Sequence, residues 1–185
     1  MYRFIAPLAA VLALAFTREA GAVEQEHHLG VDLGLSILTI SGPSSAPDVG
    51  PAFGLHYTYG ITDQVNLIAG AQYSLVALNA NATTPPTYTH PTNLFNADVG
   101  VAYVLDVLRW VPYFGGLAGA YVLDGGTIQG NLFLPGAQVV VGLDYLLTPV
   151  WSVGIEGSEH FLFTDMSLYT SFTNVVARVQ FIWGR

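Results

Sequence analysis

The stretch Gly136–Phe163, with the sequence GAQVVVGLDYLLTPVWSVGIEGSEHFLF, contains two runs of alternating residues on either side of Thr148-Pro149. Every second residue in each run is apolar, which is typical of a β-strand with one apolar and one polar face. The apolar members are Ala137, Val139, Val141, Leu143 and Tyr145 in the first run and Val153, Ile155 and Phe161 in the second. The stretch therefore predicts a β-hairpin, an element that soluble sheets and membrane barrels share.

Composition decides between these two settings. Of the 185 residues, 52% are hydrophobic and 10% are charged, whereas an ordinary soluble domain has about 25% charged residues. So few charges cannot cover the surface of a soluble domain. After residue 22, no uninterrupted apolar run approaches the roughly 18 residues that a membrane-spanning helix needs. A closed β-barrel is the other structure that satisfies its backbone hydrogen bonds in lipid.

The first 22 residues are predicted to be a cleaved export signal. They contain a positive charge at Arg3, an apolar segment at Phe4–Phe16 and the small residues Ala20-Gly21-Ala22 before the expected cleavage site. A membrane anchor is the alternative, but the apolar segment is short and Arg18-Glu19 follow it. We therefore expect a single barrel domain over residues 23–185.

Charge and cysteine content exclude several classes of function. The chain has a net charge of −8 and no lysine, so it offers no basic patch for nucleic acid. It also has no cysteine, which excludes disulfides, thiolate metal sites and a cysteine nucleophile. We expect neither a nucleic-acid partner nor a cofactor.

Alternation like that of the hairpin recurs along the chain and predicts eight strands. The other six begin near His28, Phe53, Val65, Leu94, Trp110 and Val175. Trp110–Leu123 is too uniformly apolar for its faces to be assigned. Long loops are expected at 41–51, 79–92, 124–131 and 164–171, alternating with short turns at the other end of the strands. The predicted fold is all-β, an eight-stranded antiparallel up-and-down transmembrane β-barrel.

Large aromatic residues recur next to the predicted short turns. The set comprises Tyr59, Tyr103, Trp110, Tyr145, Trp151 and Trp183. Amphipathic rings prefer the level of the lipid headgroups, so a common level for these residues predicts an aromatic girdle at one membrane interface.

The polar parity of the strands is expected to face the barrel interior and to form a polar network. Its members are Arg178, Glu156, Asp32, Asp98, Asp144, His56 and His160. Since the strand with Arg178 lies between the strands with Glu156 and Asp32, we expect Arg178 to pair with one or both and to tie the closing seam together. A metal site formed by His28 with His56 or Asp32 is the alternative. The spacing of these residues favours side chains that line the interior and form hydrogen bonds, so no metal is expected.

Three further features allow the chain to be compared with a known family. It combines an export signal with the phrases Pro112-Tyr113-Phe114-Gly115-Gly116 and Gly142-Leu143-Asp144-Tyr145, and its last strand ends on Phe181-x-Trp183. Over residues 26–185 it resembles the small eight-stranded outer-membrane barrels of the OmpA transmembrane domain, OmpX and OmpW group. The terminal aromatic resembles the recognition signal of the outer-membrane assembly machinery, although Gly184-Arg185 follow it here.

This resemblance implies a porin-like monomer in the outer membrane of a Gram-negative bacterium. Its partners would be membrane lipid and, during insertion, the assembly machinery. Its function would be a structural role or minor passage of small solutes. Many inward positions are Gly, Ala or Ser, and these could leave a narrow, acidic-lined and cation-preferring path. We expect that the protein is not an enzyme.

Two other functions are considered. Glu156, Ser158 and His160 share one face of a strand, and some outer-membrane barrels of this size are lipid A deacylases or acyltransferases that use Ser and His. We expect no catalytic residues, because in this register the three side chains point into the barrel and away from lipid. A soluble lipocalin-like binder is the second alternative. It would carry its apolar parity inside and its charges outside, the reverse of the predicted arrangement.

Overall fold

The computed structural model describes residues 25–40, 47–76, 91–105, 109–164 and 169–184. The predicted export signal 1–22 lies outside the described residues, as do parts of the predicted long loops and of the turn at 106–109.

Eight antiparallel strands form a closed barrel, which confirms the predicted fold class. The strands are β1 His27–Ile40, β2 Asp48–Gly60, β3 Val65–Leu75, β4 Asn93–Val104, β5 Trp110–Asp124, β6 Leu132–Thr148, β7 Trp151–Leu162 and β8 Tyr169–Trp183. Each strand pairs with the next, and β1 also pairs with β8 to close the barrel. Among the described residues, no helix is long and apolar enough to cross a membrane.

The two faces of the hairpin β6–β7 point in the predicted directions. Val141 and Ile155 on the apolar parity are 63% and 62% exposed, whereas Ser158 and His160 on the polar parity are buried. An apolar exterior around a polar interior is the reverse of a soluble barrel and is the arrangement of a barrel that faces lipid. The lipocalin-like alternative is thereby ruled out.

Three predicted loop boundaries are wrong because the strands extend further. β2 begins at Asp48, so residues 48–51 of the predicted loop are strand. Gly50 and Pro51 suggested a turn, but Gly50 passes so close to the Leu75 carbonyl that a Cβ would not fit. The β2–β3 pairing begins only beyond Pro51, so its missing N–H costs no bond there. β5 likewise includes Asp124, and β8 begins at Tyr169.

The faces of β5, left unassigned from the sequence, are fixed by its pairing with β4 and β6. Trp110 and Phe114 point outward, and Tyr113, Leu117 and Tyr121 point into the barrel. The strand is apolar on both faces because its inward side chains fill the lumen with rings and aliphatic groups.

An apolar cap closes the interior at the long-loop end of the barrel. It consists of nine side chains that are at most 5% exposed: Leu38, Ile40, Val76, Leu94, Tyr121, Leu123, Leu134, Leu162 and Phe172. Eight of these residues lie at the long-loop ends of six strands, and Val76 directly follows β3. The polar interior therefore lies beneath a packed hydrophobic layer at this end.

Candidate functional site

The centre of the lumen is occupied by an ion cluster around Arg178, whose side chain is 4% exposed. Its Nη1 donates hydrogen bonds to Glu156 Oε2 at 2.5 Å and to the Tyr113 hydroxyl. Its Nε lies 3.6 Å from Asp32 Oδ1. The Tyr113 hydroxyl in turn donates to Glu156 Oε2 at 2.7 Å. The structure thus brings both acids of the predicted seam to Arg178.

Strand register explains this cluster. Asp32 on β1 lies directly opposite Arg178 on β8, and Gly154 of β7 lies opposite Arg178 on its other side. Gly154 carries no side chain, and the Asp144 carboxylate lies over it, with Oδ1 in the place where a Cβ would be. Tyr113 arrives from β5 across the lumen, with its ring centroid 5.3 Å from the Arg178 Cζ.

Sequence reasoning missed Tyr113 because β5 is apolar on both faces. The sequence did contain one sign of an inward face in β5. Bulky residues recur there every fourth position, at Tyr113, Leu117 and Tyr121, with Gly115 and Gly119 between them. All five residues share one parity, and the structure places that parity inside the barrel.

The other predicted acids have partners of their own. Asp32 Oδ2 lies 2.8 Å from His56 Nδ1. Asp98 Oδ2 accepts a hydrogen bond from Asn96 Nδ2 at 2.7 Å, and Asp144 Oδ2 accepts one from Gln180 Nε2 at 2.6 Å.

His160 belongs to a separate group nearer the apolar cap. Its Nδ1 lies 3.0 Å from the Tyr121 hydroxyl, and its Nε2 lies 3.0 Å from Ser158 Oγ and 2.8 Å from Asn174 Nδ2. Asn174 continues the chain of hydrogen bonds to Ser36 at 2.6 Å. In the described part of the chain, the hydrogen-bond partners of His160 are Tyr121, Ser158 and Asn174, none of which belongs to the Arg178 cluster. His160 and Arg178 are therefore the centres of two different groups.

The space left inside the barrel is small. One cavity of about 40 Å³ is lined by Asp32, His56, Asn96, Asp98 and Glu156, and a second of about 30 Å³ is lined by His28, Thr58, Asp144 and Gln180; Arg178 and Ile68 line both. One water occupies roughly 10–15 Å³ on this measure, so each cavity has room for only a few waters. Water is the fitting occupant, because the buried atoms Asn96 Oδ1 and His56 Nε2 have no protein partner. Among the described residues, no group of three or more His, Asp or Glu side chains could hold a metal ion.

Three inward glycines are covered by the rings of other residues. A Cβ on Gly142 would collide with the Tyr113 ring, and a Cβ on Gly30 would collide with the His56 imidazole. In both cases the ring comes from the residue directly opposite on the neighbouring strand. The ring of Tyr121 covers Gly136 in the same way, from a diagonal position on the neighbouring strand. At these three positions the glycines make room for large inward side chains.

The six residues of the predicted girdle all lie on the outward parity at the short-turn end of the barrel. Trp110 packs on Tyr145 at 4.7 Å between ring centroids, and Trp151 packs on Phe181 at 5.3 Å. Their role at a membrane interface stays a prediction.

The sequence analysis missed His27, which lies on the same outward row as Trp183 and Tyr59, stacks on the Trp183 ring and lies tilted against the Tyr59 ring. It also missed Glu159, an outward carboxylate that accepts a hydrogen bond from Thr173 Oγ1 at 2.5 Å.

Solved structures of other proteins share this architecture. The N-terminal barrel of OprF from Pseudomonas aeruginosa is 12% identical, with 86% of this chain and 98% of that chain covered and a TM-score of 0.62. Neisserial surface protein A is 15% identical, with 88% and 99% covered and a TM-score of 0.64. Ail, the attachment invasion locus protein of Yersinia pestis, is 10% identical, with 86% and 99% covered and a TM-score of 0.56. At these identities the likeness is one of fold.

Sequence comparison gives the family. No curated protein matches the chain. The model of the family described as Outer membrane protein beta-barrel domain matches residues 8–181, which is nearly the whole chain. The match agrees with the closed barrel, its apolar exterior and its polar interior. The chain belongs to the outer-membrane β-barrel domain family.

Proposed function

We propose that this protein is a structural outer-membrane barrel that does not conduct solutes. The observation that carries the proposal is the apolar cap, in which nine buried side chains meet across the lumen. Ions cross membranes through continuous polar paths. A packed hydrophobic layer interrupts such a path because a buried ion loses its hydration without compensation.

The centre of the lumen supports the same function. Below the cap, Arg178, Tyr113 and Glu156 join strands β8, β5 and β7 by hydrogen bonds across the interior. The cavities beside them, of about 40 and 30 Å³, hold waters but not a passing solute. Eight strands enclose just enough room for side chains, and in this barrel side chains fill that room.

Conductance of the refolded protein in planar lipid bilayers tests the proposal. We expect traces that match protein-free lipid, with a conducting porin inserted under the same conditions as the positive control. Folding is checked on the same sample by the shift in gel mobility on heating. Discrete steps from folded protein, above all steps that prefer cations, would overturn the closed-barrel function.

The enzyme alternative receives little support from the geometry. Ser158 Oγ lies 3.0 Å from His160 Nε2, as a nucleophile and its base would. However, both residues are buried beneath the apolar cap, and Nδ1 of His160 faces the Tyr121 hydroxyl, where a triad would have a carboxylate. Glu156 is held by Arg178 instead. We infer that the protein does not modify lipid, and we expect the mass spectrum of lipid A to be the same with and without it.

Export and assembly complete the proposal. Residues 1–22 would be removed as a signal, and the barrel would enter the outer membrane through the assembly machinery, with Phe181 and Trp183 of the last strand as its recognition feature. The mature protein would be a monomer surrounded by lipid. The mass of the protein isolated from outer membranes tests both cleavage and oligomeric state.

A further inference from the structure

An outward-facing groove lies at the short-turn end of the barrel, where the first and last strands meet. It is a shallow depression, open to its surroundings over most of its extent, with about 530 Å³ of space, and it is lined by Gln25, His27, Tyr57, Tyr59, Leu67 and Gly184. Pockets that bind small ligands have volumes of about 300–1,000 Å³. The groove is therefore large enough for part of a lipid molecule, in contrast to the cavities inside the lumen.

One register row across four strands builds the floor of the groove. Trp183 of β8 lies opposite His27 of β1, His27 lies opposite Tyr59 of β2, and Tyr59 lies opposite Leu67 of β3. All four side chains are on the outward parity. The row thus combines three aromatic rings and an aliphatic side chain at the level of the predicted aromatic girdle.

His27 supplies the polar group of this row. Its ring is stacked on Trp183 at 5.4 Å with an angle of 11° between the planes, and it lies 5.1 Å from the Tyr59 ring. Its Nδ1 is 2.6 Å from the Tyr57 hydroxyl. When that hydroxyl donates to Nδ1, the ring proton is on Nε2, and Nε2 is bonded to no described residue. In this tautomer, His27 Nε2 offers an N–H donor at the wall of the groove.

The backbone just before β1 and just after β8 completes the groove. Gln25 has a φ of 68°, unusual for a residue with a side chain, and Gly184 has a φ of 97°. A Cβ on Gly184 would lie 2.8 Å from the Gln25 carbonyl oxygen and 2.9 Å from His27 Cδ2, so only glycine fits there. Gln25 N donates to the Gly60 carbonyl at 2.9 Å, which ties this end of the chain to β2. Such backbone strain is frequent at ligand sites.

We propose that this groove binds one zwitterionic phospholipid with a phosphoethanolamine headgroup. The phosphate accepts a hydrogen bond from His27 Nε2, the ammonium lies against the face of the Tyr59 ring, and an acyl chain runs over Leu67. Cations are attracted to the face of an aromatic ring, and phosphate oxygens accept strong hydrogen bonds. A headgroup without net charge fits this protein because the chain has a net charge of −8 and no lysine, which disfavours net-anionic lipids.

Native mass spectrometry of the folded full-length protein tests the site, with phosphatidylethanolamine and phosphatidylglycerol added in equal amounts. We expect one phosphatidylethanolamine to be retained, at least fivefold more often than phosphatidylglycerol. The substitution His27→Leu should remove this preference, and Tyr57→Phe should weaken it. Tyr145→Phe is the matched control, because Tyr145 packs on Trp110 at the same end of the barrel without a histidine. It should leave retention unchanged.

A second measurement uses the wild-type protein and does not depend on the folding of variants. The imidazole ¹⁵N resonances in lipid nanodiscs should shift for His27 when phosphatidylethanolamine replaces phosphatidylglycerol. The buried His56 and His160 should not respond. Equal retention of both lipids, preference unchanged by His27→Leu, or a His27 shift produced equally by free inorganic phosphate would each overturn the proposal. None of these outcomes bears on whether the lumen conducts.

Discussion

Arg178 is the one Arg or Lys side chain that points into the lumen in the described part of the chain, and two acids depend on it. Replacing it by methionine keeps an unbranched apolar stem but removes the guanidinium and leaves Glu156 and Asp32 without their cation. Removing one partner of a buried ion pair costs about 3–5 kcal/mol. We expect Arg178→Met to lower the free energy of unfolding by this order, measured by urea unfolding in lipid vesicles and by loss of the heat-resistant folded band.

Two variants serve as controls for Arg178→Met. Arg109→Met removes an exposed cation from a short turn and should change the free energy of unfolding little. Adding Glu156→Gln to Arg178→Met should restore part of the lost stability, because one uncompensated charge is then gone. Unchanged heat resistance of Arg178→Met would contradict the role of this cluster at the seam.

The Tyr113 hydroxyl accepts from Arg178 and donates to Glu156, so its loss leaves both groups with a missing partner. Leaving a buried polar group unsatisfied costs about 1–3 kcal/mol. We expect Tyr113→Phe to reduce the unfolding free energy by this amount in the same urea experiment. Tyr103→Phe removes an exposed bond to Gln64 and should cost clearly less. A loss no larger than that of the control would mean that Tyr113 fills space only.

At the scale of strands, an inward glycine and the ring that covers it act as a unit where such a pair occurs. Gly142 of β6 lies directly under Tyr113 of β5, with no space for a methyl group. Gly142→Ala should push the ring away from Arg178 and Glu156 and cost about 1–3 kcal/mol of unfolding free energy. Gly157→Ala is the control, since nothing lies within 4 Å of a Cβ at that outward position. If both substitutions lowered the unfolding free energy equally, contact between Gly142 and the Tyr113 ring would not be the cause.

Strands differ in how much of their role the sequence reveals. In β7 the faces follow from an alternation that only the outward Glu159 and the inward Leu162 interrupt, because the other polar side chains line the interior. In β5 the inward positions are Tyr, Leu and Gly, so the hydropathy of its two faces is nearly equal and the period is lost. The pairing of Asp32 with Arg178 could be predicted from the strand order. The hydrogen bonds of Tyr113 could not, because Tyr113 lies on β5, whose faces the sequence does not distinguish.

For the molecule as a whole, the cap could not be predicted from any single strand. Its members lie at strand ends that are far apart in the sequence, such as Leu38 and Phe172, and they meet only when the barrel closes. The alternation that predicted a polar interior is interrupted there by inward leucines. An apolar residue at such an end is equally consistent with a girdle, a loop or a plug.

The cap behaves as the hydrophobic core of this protein, and one pair of substitutions separates it from the lipid-facing surface. Leu94 in the cap is 0% exposed, and Leu55 on the outer wall is 59% exposed. On unfolding into aqueous urea both leucines enter water, so Leu→Ala loses a similar transfer free energy at each. At Leu94 the substitution also leaves a cavity, which lowers the free energy of unfolding by a further ~24 cal/mol per Å³ of residual volume. Lipid chains refill the space beside Leu55.

We therefore expect Leu94→Ala to reduce the free energy of unfolding in vesicles by about 1–2 kcal/mol more than Leu55→Ala does. The same variant also tests whether the cap keeps the lumen closed. If water enters the space left by Leu94→Ala, the loss of unfolding free energy approaches that of Leu55→Ala. Bilayers that contain Leu94→Ala should then leak ions. A larger loss at Leu94 without leakage means that the surrounding side chains hold the layer together, as expected of a close-packed interior.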